Sequence, residues 1–319
     1  MEPAGKDRSD MRFTPLEDSD LGIDNSDMAA LIEPLIGRRV PSNDAAWHAD
    51  LTERKRKILR KYLKRRLLAW LPAHQRSEAV VDEEYDEVWS KTPYESYGLE
   101  ALEPKLSPWI WRGECLYARA VVGTRIRQLL FGQFIEKTRP RRVLEVGCGN
   151  GVNLLLLAGR FPTIEFAGID LTEAGIRAAT TIQNQETLPP AMQAFAPCAL
   201  TDLAAFRRID FRRGNATEMP FAEGEFDLVI TSLAIEQMER VRARALGEIA
   251  RVAGGHTLMI EPFSDVNAAF WARLNVRRRD YFQGRIDDLG EFGLHPLVAI
   301  QDFPQEAFLK AAAVLAEKK

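Results

Sequence analysis

The sequence predicts an α/β protein: a doubly wound, mostly parallel sheet behind a mainly helical N-terminal extension. Two observations carry this prediction. From residue 140 short β-rich runs alternate with helical stretches: RVLEVG (142–147), IEFAGID (164–170), FDLVIT (226–231) and HTLMIEP (256–262). Strand and helix in alternation build a parallel sheet covered by helices. Before that point the apolar residues recur at helical spacing instead. The composition agrees, since 319 residues with 46% hydrophobic and 28% charged are ordinary for a globular chain. It excludes collagen-like, mucin-like and wholly disordered chains.

Residues 1–45 are polar and rich in Asp, Ser and Pro, and read as an arm with at most short helices. Leu51, Ile58, Leu59, Tyr62, Leu63, Leu67 and Trp70 recur at helical spacing, and Pro72 is the stop. Residues 78–131 read as helical with breaks. They carry Tyr85, Trp89, Tyr94, Tyr97, Trp109, Trp111 and Tyr117, an aromatic group expected to close over the site. The expected organisation is a polar arm (1–45), a helical cap (46–135) and an α/β domain (136–319).

Charge is unevenly placed. Residues 1–50 hold eleven acids and five bases, 51–76 ten bases and one acid, and 77–104 nine acids and one base. The net charge of -3 draws the whole chain to no polyanion. The basic helix at 53–66 suits an intramolecular or solvated face, an oligomer contact through the N-terminal helices, or a peripheral contact with an anionic membrane. Docking of nucleic acid there is the weakest of these readings. No apolar run reaches the roughly 18–20 residues of a membrane span, and MEPAGKDRSDMRF lacks the apolar centre of a secretory signal. Cys115, Cys148 and Cys198 are too few and too widely spaced for a disulfide framework or a zinc site. A reducing, cytoplasmic setting and no metal are expected.

The strongest local signal is Arg142–Gly151, RVLEVGCGNG, followed by the apolar helix VNLLLLAGRF. A strand ends at Glu145-Val146-Gly147. The turn Gly147-Cys148-Gly149-Asn150-Gly151 then lets a ligand lie against bare peptide groups and the N–H groups of a helix start. Two cofactor classes use such a turn. A dinucleotide needs G-x-G-x-x-G, whereas the spacing here is G-x-G-x-G. Glu145, two positions before the first glycine, would repel a pyrophosphate and suit a cationic amino-acid ligand. The second strand ends in Asp170, beside Leu171. A carboxylate at a strand end accepts hydrogen bonds from ribose hydroxyls, and it also caps a helix, a role open to Thr172.

E-x-G-x-G-x-G resembles motif I of the class I S-adenosylmethionine (SAM) methyltransferases. RGNATEMPF (213–221) is similar to that family's G-[DN]-A-x-x-L-P-F segment, and LGEIARVAGGHTLMIEP (246–262) to the stretch leading into its fifth strand. With the strand ending in Asp170, four segments stand in family order over about 120 residues, and the resemblance covers roughly residues 110–317. The resemblance implies a seven-stranded sheet whose last strand is antiparallel. PLVAIQDF (296–303) and AFLKAAAVLAEKK (307–319) are then the final pair, although Ala, Leu, Glu and Lys favour helix in the latter. It implies SAM as cofactor and S-adenosylhomocysteine as product, held by Glu145, Gly147, Cys148, Gly149, Asn150, Asp170, Leu171 and Ser232. Asn215 is expected at the adenine amino group, accepting through its amide oxygen, with Ala216 beside the ring.

The resemblance places the reacting methyl near Thr231-Ser232-Leu233 and the following turn. Glu236 is the leading base or substrate-orienting residue, and the bland reading is a solvated carboxylate early in a helix. Glu261 and His256 are weaker candidates. TSLA follows the fourth strand where amino-methylating enzymes carry [DN]-P-P-[YFW], and Pro197-Cys198 precedes the third strand, unlike the C5-cytosine enzymes. A small or medium organic acceptor methylated at O, N or C is therefore expected. The alternatives are a nucleic-acid or lipid-linked acceptor docked on the basic helix, an NAD-dependent oxidoreductase, and a SAM-binding protein without methyl transfer. The insert 184–208, longer than a loop requires, is expected to flank the cofactor or pack on the N-terminal region.

Overall fold

The computed structural model describes residues 14–15, 17–22, 30–68, 78–90 and 106–319. Two sheets share one body. The N-terminal region supplies β1 (Ile36–Val40), α1 (Ala45–Leu68), α2 (Glu78–Ser90), β2 (Leu106–Trp111), β3 (Glu114–Arg119) and α3 (Val121–Thr138). The strands β2, β3 and β1 and residues Gln305–Glu306 form a four-stranded sheet in the order 305–306, β2, β3, β1. Two sequence expectations are corrected here. The segment read as an arm with at most short helices holds β1, paired antiparallel to β3 from Ile36↔Ala118 to Val40↔Cys115. The stretch 78–131, read as helical with breaks, contains the β2–β3 hairpin. Its turn is Arg112-Gly113, both left-handed with φ of 48° and 79°, as a two-residue hairpin requires. Arg is a poor advertisement for such a turn, so the hairpin is quiet in the sequence.

The α/β body follows in order: β4 (Arg142–Val146), α4 (Val152–Arg160), β5 (Glu165–Asp170), α5 (Glu173–Gln183), α6 (Pro190–Phe195), β6 (Asp210–Arg213), β7 (Phe226–Ser232), α7 (Arg242–Val252), β8 (Ala253–Glu261), α8 (Phe270–Arg279), β9 (Leu294–Asp302) and β10 (Ala312–Lys318). The seven long strands run β9-β10-β8-β7-β4-β5-β6, and Thr14–Pro15 adds a short parallel edge beside β9. β10 lies antiparallel between β8 and β9, with Leu315 opposite Leu258 and Val298. The sequence AAVLA is buried on both faces, Ala312 through Ala316 showing 2% exposure or less. Burial in a sheet centre overrides its helix propensity.

The core explains the helices. α4 is buried from Val152 to Gly159 because it is enclosed between the sheet and the insert 184–208. That insert folds as α6 and a 3-10 turn at Ala205–Arg208. Its Leu188, Met192, Phe195 and Phe206 join the core cluster that also holds Ile126 and Leu129 of α3. The Arg125 guanidinium on α3 donates to the carbonyls of Leu31, Ala194 and Ala196. The insert therefore packs on the N-terminal region, as one of its two expected roles. α1 packs its inner face on α8, with Arg65 paired to Asp280 at 2.8 Å.

Ile32 and Leu35 are fully buried in the same cluster, so the N-terminal segment is a structural part of the body. Leu35→Ala is expected to cost about 2–5 kcal/mol, read as a lowered urea midpoint with unchanged slope. Removal of residues 1–45 should lower the midpoint further, because it deletes β1 as well.

Candidate active site

The strand order reverses at β4. The chain steps outward from β4 through β5 to β6, then returns to place β7 on the other flank of β4. At such a switch point the strand ends part and leave a crevice. A cavity of about 690 Å³ occupies it here, within the range of roughly 300–1,000 Å³ typical of small-molecule sites.

The floor is the loop after β4. Gly147, Gly149 and Gly151 all have positive φ, from 52° to 75°. All three also lack room for a side chain, a Cβ on Gly151 lying 2.8 Å from the Phe211 ring. A Cβ on Gly147 would lie 2.4 Å from that of Ala234, and one on Gly149 would lie 2.4 Å from the Trp89 ring. The Gly147 and Cys148 N–H groups donate to the Ile169 carbonyl, tying the loop to β5. Asp170 completes this tie. Its carboxylate accepts from Gly149 N at 2.7 Å, Thr172 N at 2.9 Å and Thr172 Oγ1 at 2.6 Å. Of its roughly four lone-pair sites, these three bonds leave one. Thr172 is the N-cap of α5, accepting from Gly175 N.

Glu145 lies at the back, 1% exposed. Asn153 donates to its Oε1 at 2.6 Å and accepts from Gln128 at 2.7 Å, while Glu145 Oε2 is buried without a hydrogen-bond partner. Burial pushes this carboxyl up to about 8, the Asn153 hydrogen bond pulling the other way, with smaller opposing effects of the Asp170 and Arg127 charges. The other wall is the turn after β7. Leu233, a non-glycine residue with φ of 54°, starts it and lines the cavity. The fully buried Glu261 at the end of β8 accepts from the N–H groups of Ala234, Ile235 and Glu236 at 3.0–3.1 Å. Burial raises Glu261 to about 7 against those bonds. Glu236 sits in the 3-10 turn Ile235–Gln237 and is 6% exposed, not a solvated carboxylate. Its Oε1 accepts from Gln237 at 2.6 Å, its Oε2 is buried without a partner, and burial, then the Glu261 charge, push it up to about 8.

The roof is α2. Tyr85 and Trp89, four residues apart on one helix face, line the cavity with ring centroids 6.5 Å apart. Asp86 of α2 accepts from Ala174 N at 2.6 Å, and Asp82 pairs with Arg213 at 3.3 Å. Of the seven aromatics expected to close over the site, these two do so. Trp109 and Trp111 are buried in the hairpin, Tyr117 stacks edge-on with Trp47 at 5.4 Å, and Tyr94 and Tyr97 lie outside the described residues.

The structure thus gathers Glu145, Gly147, Cys148, Asn150, Asp170 and Leu171 with Asn215, Ala216, Ser232 and Glu236 around one cavity. Gly149 lies beneath Trp89 at its edge. Glu261 is behind the wall, and His256 is half-buried near the opposite end of β8. One expectation changes: the Asn215 amide oxygen is held by Thr217 N and Oγ1, both at 2.9 Å, and so faces its own turn. Sequence reasoning missed Thr124, Arg127 and Asn153, while Gln237 lies in the turn expected near the reacting methyl. Asn153 had a signal, a lone amide in the otherwise apolar VNLLLLAG. Arg127 had none, being one cation on a long helix. Among the described residues no group of three or more His, Cys, Asp or Glu could hold a metal.

Residues 144–259 match the family described as a methyltransferase domain. The chain is 27% identical over 135 residues to ajmaline N-methyltransferase of Rauvolfia serpentina, covering 41% of this chain and 40% of that protein. It is 29% identical over 128 residues to the malonyl-[acyl-carrier protein] O-methyltransferase of Geobacter sulfurreducens, covering 40% and 39%. A phthiotriol/phenolphthiotriol dimycocerosates methyltransferase of Mycobacterium ulcerans matches at 29%, with 41% of each chain covered. The match thus spans about two fifths of these relatives' length. The fold is shared with magnesium protoporphyrin IX methyltransferase from Synechocystis (TM-score 0.51, 12% identity, 76% of this chain and all of that one). It is also shared with the [4+2]-cyclase SpnF (TM-score 0.51, 17% identity, 76% and 97%).

Three buried carboxyls raised to about 7 or 8 bind protons in the folded state that they lose near 4.5 when unfolded. The folded chain therefore holds more protons between those values, and its stability falls as pH rises from about 5 to 8. Glu236→Gln is expected to reduce that fall, measured as the difference in unfolding free energy between pH 5.5 and 8.

Proposed function

We propose that this chain, a member of the class I SAM-dependent methyltransferase superfamily, transfers a methyl group from SAM to a small or medium organic acceptor at O, N or C. The observation that supports this best is Glu145. Its buried carboxyl, with one oxygen unpartnered at the back of a glycine-floored cavity, is held up to about 8 by burial. A cationic amino group beside it would favour the ionised form, which a pyrophosphate would not. The same feature disfavours an NAD-dependent oxidoreductase.

The residues fit SAM. Glu145 faces its amino-acid end, and Gly147, Cys148, Gly149 and Asn150 present bare backbone to it. Asp170, with one lone-pair site left, receives a ribose hydroxyl beside Leu171. Asn215 and Ala216 form the wall at the adenine, Asn215 through position rather than through its oxygen. Ser232 lies where the methyl emerges. The bound sulfonium supplies an already activated methyl group, so the chain's own work is alignment, exclusion of water and the handling of one proton. Glu236 takes that proton. A carboxyl near 8 is matched to proton abstraction near neutral pH, and its unpartnered Oε2 is the accepting atom. Tyr85 and Trp89 on α2 cover the site and exclude water.

The relatives are named for N-methylation of ajmaline and O-methylation of a malonyl group on acyl-carrier protein, which supports an organic acceptor without choosing the atom. Cytoplasmic location is part of this proposal, supported by three free cysteines. Among the described residues no helix is long and apolar enough to cross a membrane.

Asp170→Ala is expected to weaken SAM binding at least tenfold by calorimetry, because it removes a ribose partner and frees the Gly149 loop. Unchanged affinity would overturn the assignment. Glu236→Gln should retain SAM affinity and lose turnover at least a hundredfold, consistent with the usual 10²–10⁴ from general base catalysis. The acceptor is sought by incubating the protein with methyl-labelled SAM and fractionated cell extract, where label confined to nucleic acid or protein would refute a small acceptor.

A further inference from the structure

A second cavity, of about 670 Å³, opens between α1 and α8. Lys57 and Lys61 of α1 and Arg278 and Arg279 of α8 face one another across it. Resting on the methyl-transfer reading, we propose that this cleft binds an anionic group of the acceptor, a carboxylate or a phosphate.

Cations outnumber acids in the cleft lining, six to four. Two of the six cations are ion-paired: Arg54 with Asp50 at 2.9 Å and Arg65 with Asp280 at 2.8 Å. Arg278 donates to the Asn275 amide oxygen at 2.7 Å and Arg279 to the Tyr281 hydroxyl at 3.1 Å, both uncharged partners. Lys57, Lys61, Arg278 and Arg279 form no ion pair among the described residues. Glu53, Glu84 and Glu306 also line the cleft. Glu306 acts on Arg278 and Arg279 through space, yet it forms no ion pair with either. Burial and the Arg279 charge bring the Arg278 guanidinium down to about 10. Burial and the charges of Arg278, Lys57, Arg279 and Arg60 lower Lys61 as well. Arg279 Nε is buried without a hydrogen-bond partner. Arg279 is held up against burial by Tyr281, Glu306 and Glu236, whereas Arg278 and Lys61 feel the gathered like charges, and an anion beside these two offsets that repulsion. Guanidinium forks and ammonium groups together are the usual donors to carboxylate and phosphate.

A backbone contact links the chain after α8 to the turn that walls the first cavity. Two residues past Arg278-Arg279-Asp280, the Phe282 N–H donates to the Glu236 carbonyl at 3.0 Å. Arg279 is among the charges acting on the Glu236 carboxyl. An acceptor anchored by its acid group in the cleft is thereby directed toward Glu236. This gives the basic helix a local task and accounts for its clustered lysines without a polyanion.

The full-length chain is titrated by calorimetry with inorganic phosphate and, separately, with glutarate, at low salt. At least one should bind, and Lys57→Ala/Lys61→Ala should weaken it tenfold or more. Both lysines are exposed, so the fold survives, and SAM affinity in the double variant should stay within twofold. Tighter phosphate binding points to a phosphorylated acceptor, tighter glutarate binding to an acid. Binding of neither anion, or equal binding by the double variant and by Arg278→Gln, would sink the proposal. In the labelling experiment the labelled small molecule should be retained on an anion exchanger. Label only in the unretained fraction overturns the anionic acceptor. Absence of SAM binding by the unsubstituted chain would instead fail the methyl-transfer reading, which the anion titration does not depend on.

Discussion

The Asp170 carboxylate holds the site in shape. One side chain fastens the N–H of Gly149 after β4 and the N–H and hydroxyl of Thr172 before α5. Two neighbouring strands end at different heights, and without that fastener their loops would be independent. With it, the glycine turn, the cap of α5 and the α2 roof, bound to Ala174 through Asp86, become one connected surface. Charge-assisted bonds of this kind are roughly twice as strong as neutral ones. They cost Asp170 most of its capacity toward a ligand, so support and recognition compete for the same oxygen atoms.

Glu261 repeats the device on the opposite wall. Its carboxylate gathers three successive N–H groups at Ala234, Ile235 and Glu236, and fixes the turn that carries Glu236. The left-handed Leu233 begins that turn, and its N–H bonds to the Ile260 carbonyl. Backbone strain of this kind persists where surrounding structure over-determines it. A buried acid thus orients a second buried acid and raises its proton affinity by its own charge.

The α/β body was legible because its signals are local. β4, β5, β7 and β8 fall on the four β-rich runs, and Thr172 takes the capping role that its spacing allowed. The antiparallel β10 followed from the family resemblance, against the helix propensity of LKAAAVLAEKK. What escaped notice depends on partners distant in sequence. β1 is a strand only because β3 lies beside it, and the Arg112-Gly113 turn lacks the usual Asn-Gly signature. Within the site, Glu145, Asp170 and the glycines announce themselves by spacing. Arg127 and Thr124 reach the cavity from α3 by packing alone. The burial of Glu236 likewise depends on how its turn folds back onto Glu261 and Phe282, which no spacing encodes.

The small four-stranded sheet draws its strands from residues 36–40, 106–119 and 305–306, which lie at the two ends of the chain and between them. The helices in front of the α/β body are consequently laced to its far end and are not an appended module. A recombination event that exchanged only the first 120 residues for those of another protein would leave Gln305–Glu306 without its partner strand. The α1–α8 cleft would lose one wall in the same exchange. Inheritance of such a front region is constrained to follow the tail, so this sheet is expected to change by point substitution in both places together rather than by the swapping of blocks.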